Sequence, residues 1–197
     1  RYGESELAID CFAQALHIND TIESQQLHQS FFPPAEDLTW KPFIGLGEAY
    51  FTLTNYEKAY QSFKKALGYL DGHSYHSLVL TWAFKSAFLT KRFREVKSYL
   101  NQFDSFFQIE PLLVRAIQVV SLILTGEADK ALLFDLLPIE TYFEEQFHTL
   151  LSDPFKRAVL LDYAIAILHL ERHTQSRTLL NRLAEVIPNQ VLIWHNL

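Results

Sequence analysis

Methionine is absent from these 197 residues, cysteine occurs once, and only six glycines and seven prolines interrupt the rest. Without a Met, the start codon and any targeting signal are expected to lie outside this segment. Cys11 alone cannot form an internal disulfide or a thiolate metal site, and a single Cys is compatible with a reducing compartment. An intracellular, cytoplasmic setting is the expectation. On its expected helix Cys11 reads as a small buried apolar residue. Scarce Gly and Pro mean few turns and long elements, which favours helices over a strand-rich sandwich.

Long apolar runs are missing too. The least charged stretches, 72–84 and 116–125, fall short of the roughly 18 residues that a membrane-spanning helix needs, so no span is expected. Positive charge is in deficit: 17 Lys and Arg against 23 Asp and Glu give a net charge of -6 and a pI near 5.7. No global positive field draws a phosphate backbone, and nucleic acid is not the expected partner. The phosphate-cradling patterns G-x-x-x-x-G-K-[ST] and G-x-G-x-x-G and the nucleophile elbow G-x-S-x-G do not occur. No catalytic residue, cofactor or metal is therefore expected.

What is present is apolar pattern. Hydrophobic residues make up 49% of the chain, enough for a sizeable core. In 4–18, Leu7, Ala8, Cys11, Phe12, Ala15, Leu16 and Ile18 fall at helical spacing and form one apolar stripe. The stretch 23–39, which holds Phe31-Phe32-Pro33-Pro34, has no sustained period and reads as a loop insertion. Helices are then expected over 41–54, 56–70, 74–89, 93–106, 111–124, 127–137, 139–151, 155–170 and 174–187, with another opening near 190. Asp153-Pro154 signals a helix start, Thr174 is expected to cap the next helix, and Pro138 and Pro188 are expected to end theirs. The turn residues Tyr56, Phe93, Ala128 and His173 are spaced by 37, 35 and 45 residues.

The run Phe43-x2-Leu46-Gly47-x2-Tyr50, followed after a short turn by Ala59-x3-Phe63-x2-Ala66, resembles the tetratricopeptide repeat, a helix–turn–helix unit of about 34 residues. Ala8-x3-Phe12-x2-Ala15 repeats its second half, and Trp194-x2-Leu197 repeats its opening. The pattern is clearest in 41–71 and loosest in 74–137, where Val96, Leu100 and Phe103 stand in for small, aromatic and small residues. Gly47, Ala59 and Phe63 argue against the longer HEAT-type unit. The resemblance implies an all-α fold, an α-α superhelix forming a single domain. Residues 1–20 would supply the second half of a repeat, and 41–71, 74–106, 110–137 and 155–188 would be repeats. An extra helix would lie at 139–151 and a further repeat would begin at 190–197.

In that family the first helix of each pair lines a concave face. Lys41, Ile44, Gly45, Glu48 and Phe51 would lie there in the clearest repeat, and they lack the Lys, Arg and Asn clamp that holds a C-terminal carboxylate. Helices 111–124 and 155–170 are apolar all round, so neighbouring repeats, the extra helix or a partner segment must cover them. Leu161, Ile165 and Leu168 are the expected partner contacts, with a protein or peptide segment, helical or extended and apolar, laid in the groove. Lys85, Lys91, Arg92, Arg94 and Lys97 make a basic hairpin that reads either as a solvated face or as a dock for an anionic edge. No Lys or Arg occurs between 131 and 155, where Asp135, Glu140, Glu144, Glu145 and Asp153 gather. His169 and His173 have metal-ligand spacing without the rest of a metal motif. Partner binding within a larger assembly is the expected function. The alternative is a regulatory or substrate-recruiting segment of an enzyme or transcription regulator.

Overall fold

The computed structural model describes residues 2–26, 40–102, 110–188 and 191–196, and every regular element among them is helical. Phe31-Phe32-Pro33-Pro34 and Phe103, to which the sequence assigned roles, lie outside the described residues. The chain divides into two compact units, 1–92 and 93–197, and the division falls at the turn of the hairpin expected over 74–106.

In the first unit, helices α1 (Tyr2–Gln26), α2 (Trp40–Thr52), α3 (Tyr56–Leu67) and α4 (His76–Leu89) each pack on the next. Helix α1 runs on to Gln26, past the expected start of the loop insertion at Glu23. It packs on α2 through Phe12, while Leu7 and Cys11 are exposed, so Cys11 is not the buried residue its spacing suggested. Two glycines permit the close approaches around α2. A Cβ on Gly45 would stand 2.3 Å from the Phe12 ring, and one on Gly47 would stand 2.5 Å from the Phe63 ring. Phe63 is fully buried and stacks on Trp82 of α4 at 6.0 Å, so one ring joins α2, α3 and α4. Asn55 caps α3 by accepting the Lys58 N–H at 3.3 Å, with Lys64 and Lys65 placed in its last turn, where they complement the helix dipole.

In the second unit, α5 (Phe93–Gln102), a four-residue turn α7 (Ala128–Ala131), α8 (Leu137–Glu145) and α10 (Pro154–Ala166) all pack on α6 (Pro111–Leu124). Helix α10 also carries α9 (Phe147–Ser152), and it continues through a 3₁₀ turn at Ile167–Leu170 to α11 (His173–Val186), on which α12 (Val191–Asn196) packs. The apolar helices α6 and α10 are thus covered from several sides. Segments of the expected extra helix, α8 on α6 and α9 on α10, provide part of that cover.

Several local expectations are corrected here. The helix expected over 127–137 stops at Ala131, because the Leu133 and Phe134 N–H groups bond three residues back and tighten the chain out of the helix. Pro138 does not end an element but occupies the first turn of α8, where its missing N–H costs nothing, and the Asp135 carboxylate accepts the Leu137 N–H at 3.2 Å just before it. The extra helix is broken at Gln146 into α8 and α9. Asp153 caps α10 as expected, accepting the Phe155 and Lys156 N–H groups at 2.8 and 3.1 Å. Thr174 is no cap, since α11 begins at His173 and Arg172 occupies the capping position.

One turn recurs at four places. Thr54, Lys91, Gly126 and Glu171 have φ of 59°, 61°, 84° and 60°, and each donates its N–H to the carbonyl three residues back. The residue after each, Asn55, Arg92, Glu127 or Arg172, donates to the carbonyl five back, at 2.8–3.2 Å. This is the Schellman arrangement that satisfies the last carbonyls of a helix. The next residues, Tyr56, Phe93, Ala128 and His173, open α3, α5, α7 and α11, and these are the turn positions marked by the sequence.

Candidate functional site

Lys41, Ile44, Glu48 and Phe51 follow one another at intervals of three, four and three residues and so share one face of α2. Lys41 and Glu48 are exposed and Ile44 is half-buried. Phe51, also half-buried, sets its ring edge-on to Tyr56 at 5.1 Å and to Trp82 at 4.9 Å, which ties the end of the row to α4. Gly45, expected beside them, is covered by Phe12 instead. At the start of the row the Lys41 ammonium lies 5.5 Å from the centre of the Trp40 ring, which in turn packs on His73 and Tyr75. Leu78 of α4 is 47% exposed in the same unit. This row offers a partner an apolar centre between one cation and one anion.

The basic hairpin is engaged from within. Arg92 donates to both carboxylate oxygens of Glu57, at 2.5 and 3.3 Å, and lays its guanidinium 4.9 Å from the centre of the Tyr60 ring. The Arg92 hydrogen bonds, and then that from Gln61, hold the Glu57 carboxyl below its ordinary range. Arg92 is therefore corrected from a docking cation to a clasp between α3 and the next turn. Lys91 is exposed with its ammonium over the Phe88 ring, and Arg94 is exposed on α5. Lys97 pairs with Glu127.

Those ion pairs follow the recurring turn at three of its four places. Arg92 reaches Glu57, Glu127 reaches Lys97 and Arg172 reaches Glu140, so the residue after each of these three left-handed positions bonds to one lying 35, 30 or 32 residues earlier. Glu140 is buried, and its bond from Arg172 is 3.0 Å long, which removes it from the uncompensated acidic stretch expected there. Beside this pair, Tyr163 is fully buried and its hydroxyl has no hydrogen-bond partner. Burial first, and the Glu140 charge second, push its pKa far upward, against a smaller opposing effect of Arg172.

Of the expected groove contacts, Ile165 and Leu168 are half-buried, but Leu161 is 3% exposed and belongs to the core. The correction has a plain cause: α10 is enclosed by α6, α9 and α11, and Leu161 lies inward of them. His169 and His173 stand on either side of the left-handed Glu171, on different elements, so they do not share a helix face. Among the described residues, no three His, Cys, Asp or Glu side chains come together as a metal site, and no helix is long and apolar enough to cross a membrane.

One feature is invisible to helical periodicity. Leu132 and Leu133, in the loop that replaces the end of the helix expected over 127–137, are 61% and 86% exposed, and Leu137, the first residue of α8, is 66% exposed. Their signal was the Leu-Leu-Phe-Asp-Leu-Leu run, whose five apolar residues in six positions fit no single buried face of a helix. No protein-family model, no curated protein and no solved structure matches this chain.

Proposed function

We propose that this chain is a non-catalytic, tetratricopeptide-like protein-interaction scaffold that binds a helical or extended apolar segment of a partner. The observation that carries the reading is the recurrence of one helix–helix turn at Thr54, Lys91, Gly126 and Glu171, with an ion pair after three of them reaching back about one repeat. Such a turn stacks hairpins on their neighbours and leaves the remaining helix faces open for ligands. The row Lys41, Ile44, Glu48 and Phe51 is the favoured contact surface in the first unit, and Ile165 and Leu168 are the favoured contacts in the second.

The test is affinity purification of the full-length protein with identification of the chains that accompany it, repeated with Ile44→Asp. Ile44 is half-buried, so circular dichroism first establishes that the variant is folded. Loss of a specific companion from the folded variant supports the reading. An unchanged set of companions overturns it for this row.

A further inference from the structure

The loop between α7 and α8, with the first residue of α8, spends three large apolar side chains on water, which gains nothing for folding. Leu133 is 86% exposed, Leu137 66% and Leu132 61%, while Leu136 between them is buried. The neighbouring Phe134 is half-buried and lines a small cleft together with Leu100 and Leu122. A cluster of this kind marks an interaction surface, because single exposed leucines are ordinary but three within six residues are not.

The charge around the cluster says what covers it. Asp129, Asp135, Glu144 and Glu145 are exposed near it along the chain, and no Lys or Arg occurs from 131 to 155. Of the cations beside this interval, Lys130 is engaged with Glu127 and Lys156 with Glu110, and farther along Arg172 is engaged with Glu140. A second copy docking by two-fold symmetry would set this acidic rim against itself, and an anionic lipid surface would be repelled in the same way. A partner with an apolar stripe flanked by Lys or Arg gains from both features.

We infer that Leu132, Leu133 and Leu137 form a docking knob for a basic amphipathic helix of a partner protein. The inference does not rest on the α2 row.

The experiment uses the full chain and a fluorescein-labelled amphipathic Leu–Lys helical peptide, with a Leu–Glu peptide carrying the same apolar stripe as control. Fluorescence anisotropy is expected to show binding of the Leu–Lys peptide only. The double variant Leu132→Ser/Leu133→Ser should lose at least about tenfold in affinity, since each leucine buried at an interface is replaced by a hydroxyl. Both sites are exposed, so the fold tolerates the change. Glu144→Lys/Glu145→Lys should weaken the Leu–Lys peptide and strengthen the Leu–Glu one. Equal binding of the two peptides, or wild-type affinity in the serine variant, overturns the inference. So does a concentration-dependent dimer in sedimentation that the serine variant abolishes, which would assign the knob to a second copy. Leucine-dependent binding to phosphatidylcholine vesicles overturns it as well, in favour of a lipid surface.

Discussion

Replacing Tyr163 by Phe is expected to stabilise the protein. The Tyr163 side chain is fully buried, its ring meets Phe143 edge-on at 5.0 Å, and its hydroxyl has no hydrogen-bond partner. Phe keeps the ring and its packing and removes only the oxygen. A buried polar group without a partner costs about 1–3 kcal/mol. The void left by one oxygen, on the order of 15 Å³, returns only about 0.4 kcal/mol of that as a cavity cost. The net gain is about 1–2 kcal/mol, or roughly 2–8 °C in Tm for a chain of this size.

The pH dependence gives a second readout. Burial raises the Tyr163 pKa in the folded state, so the unfolded chain releases this proton while the folded chain still holds it. The group's contribution is fully present below the ordinary tyrosine pKa of about 10 and is lost as pH rises above it. Urea unfolding followed by circular dichroism should therefore show Tyr163→Phe more stable at neutral pH, with a gap that widens on the alkaline side. A variant destabilised by more than about 0.5 kcal/mol at neutral pH would refute the reasoning by showing that the hydroxyl is satisfied, and a gap that does not widen would refute it by showing that the folded state leaves the phenol as free to ionise as the unfolded one.

Two further outcomes test the packing and the clasp. Gly47→Ala should cost about 1–3 kcal/mol, because its Cβ would meet the fully buried Phe63 ring at 2.5 Å; Gly45→Ala should cost less, since Phe12 is only half-buried and its ring can give, and chemical denaturation compares the two. Glu57→Gln should remove part of the acid sensitivity of the first unit. The lowered Glu57 pKa means that its pair with Arg92 contributes above the ordinary carboxylate range and is lost as pH falls through the folded value, and tryptophan fluorescence against pH checks this through Trp40 and Trp82. The effect at neutral pH should stay below about 1 kcal/mol, because the pair is solvent-exposed and screened by salt.

The local pattern carried far in this chain. Helical spacing located α2, α3, α4 and α6 to within a few residues, and the small residues of the clearest hairpin marked where rings would press, as Gly47 under Phe63 shows. The turn residues at Tyr56, Phe93, Ala128 and His173 were legible because a helix end must dispose of its last carbonyls within a few residues, which is a local problem with a local solution. The same locality made Asp153 readable as a cap.

What only the tertiary structure decided depends on neighbours remote in sequence. Periodicity showed that helix 155–170 is apolar all round, but only the packing of α6, α9 and α11 about α10 turned Leu161 from a groove contact into core. Arg92 and Glu140 looked like free charges because their partners, Glu57 and Arg172, lie 35 and 32 residues away. The run after Ala131 could have continued as a helix by propensity alone. Tertiary packing instead buries Phe134 and Leu136 more deeply than their neighbours and leaves Leu132, Leu133 and Leu137 in water, and hydrophobicity by itself has no term that says which of five apolar residues in so short a stretch finds a partner.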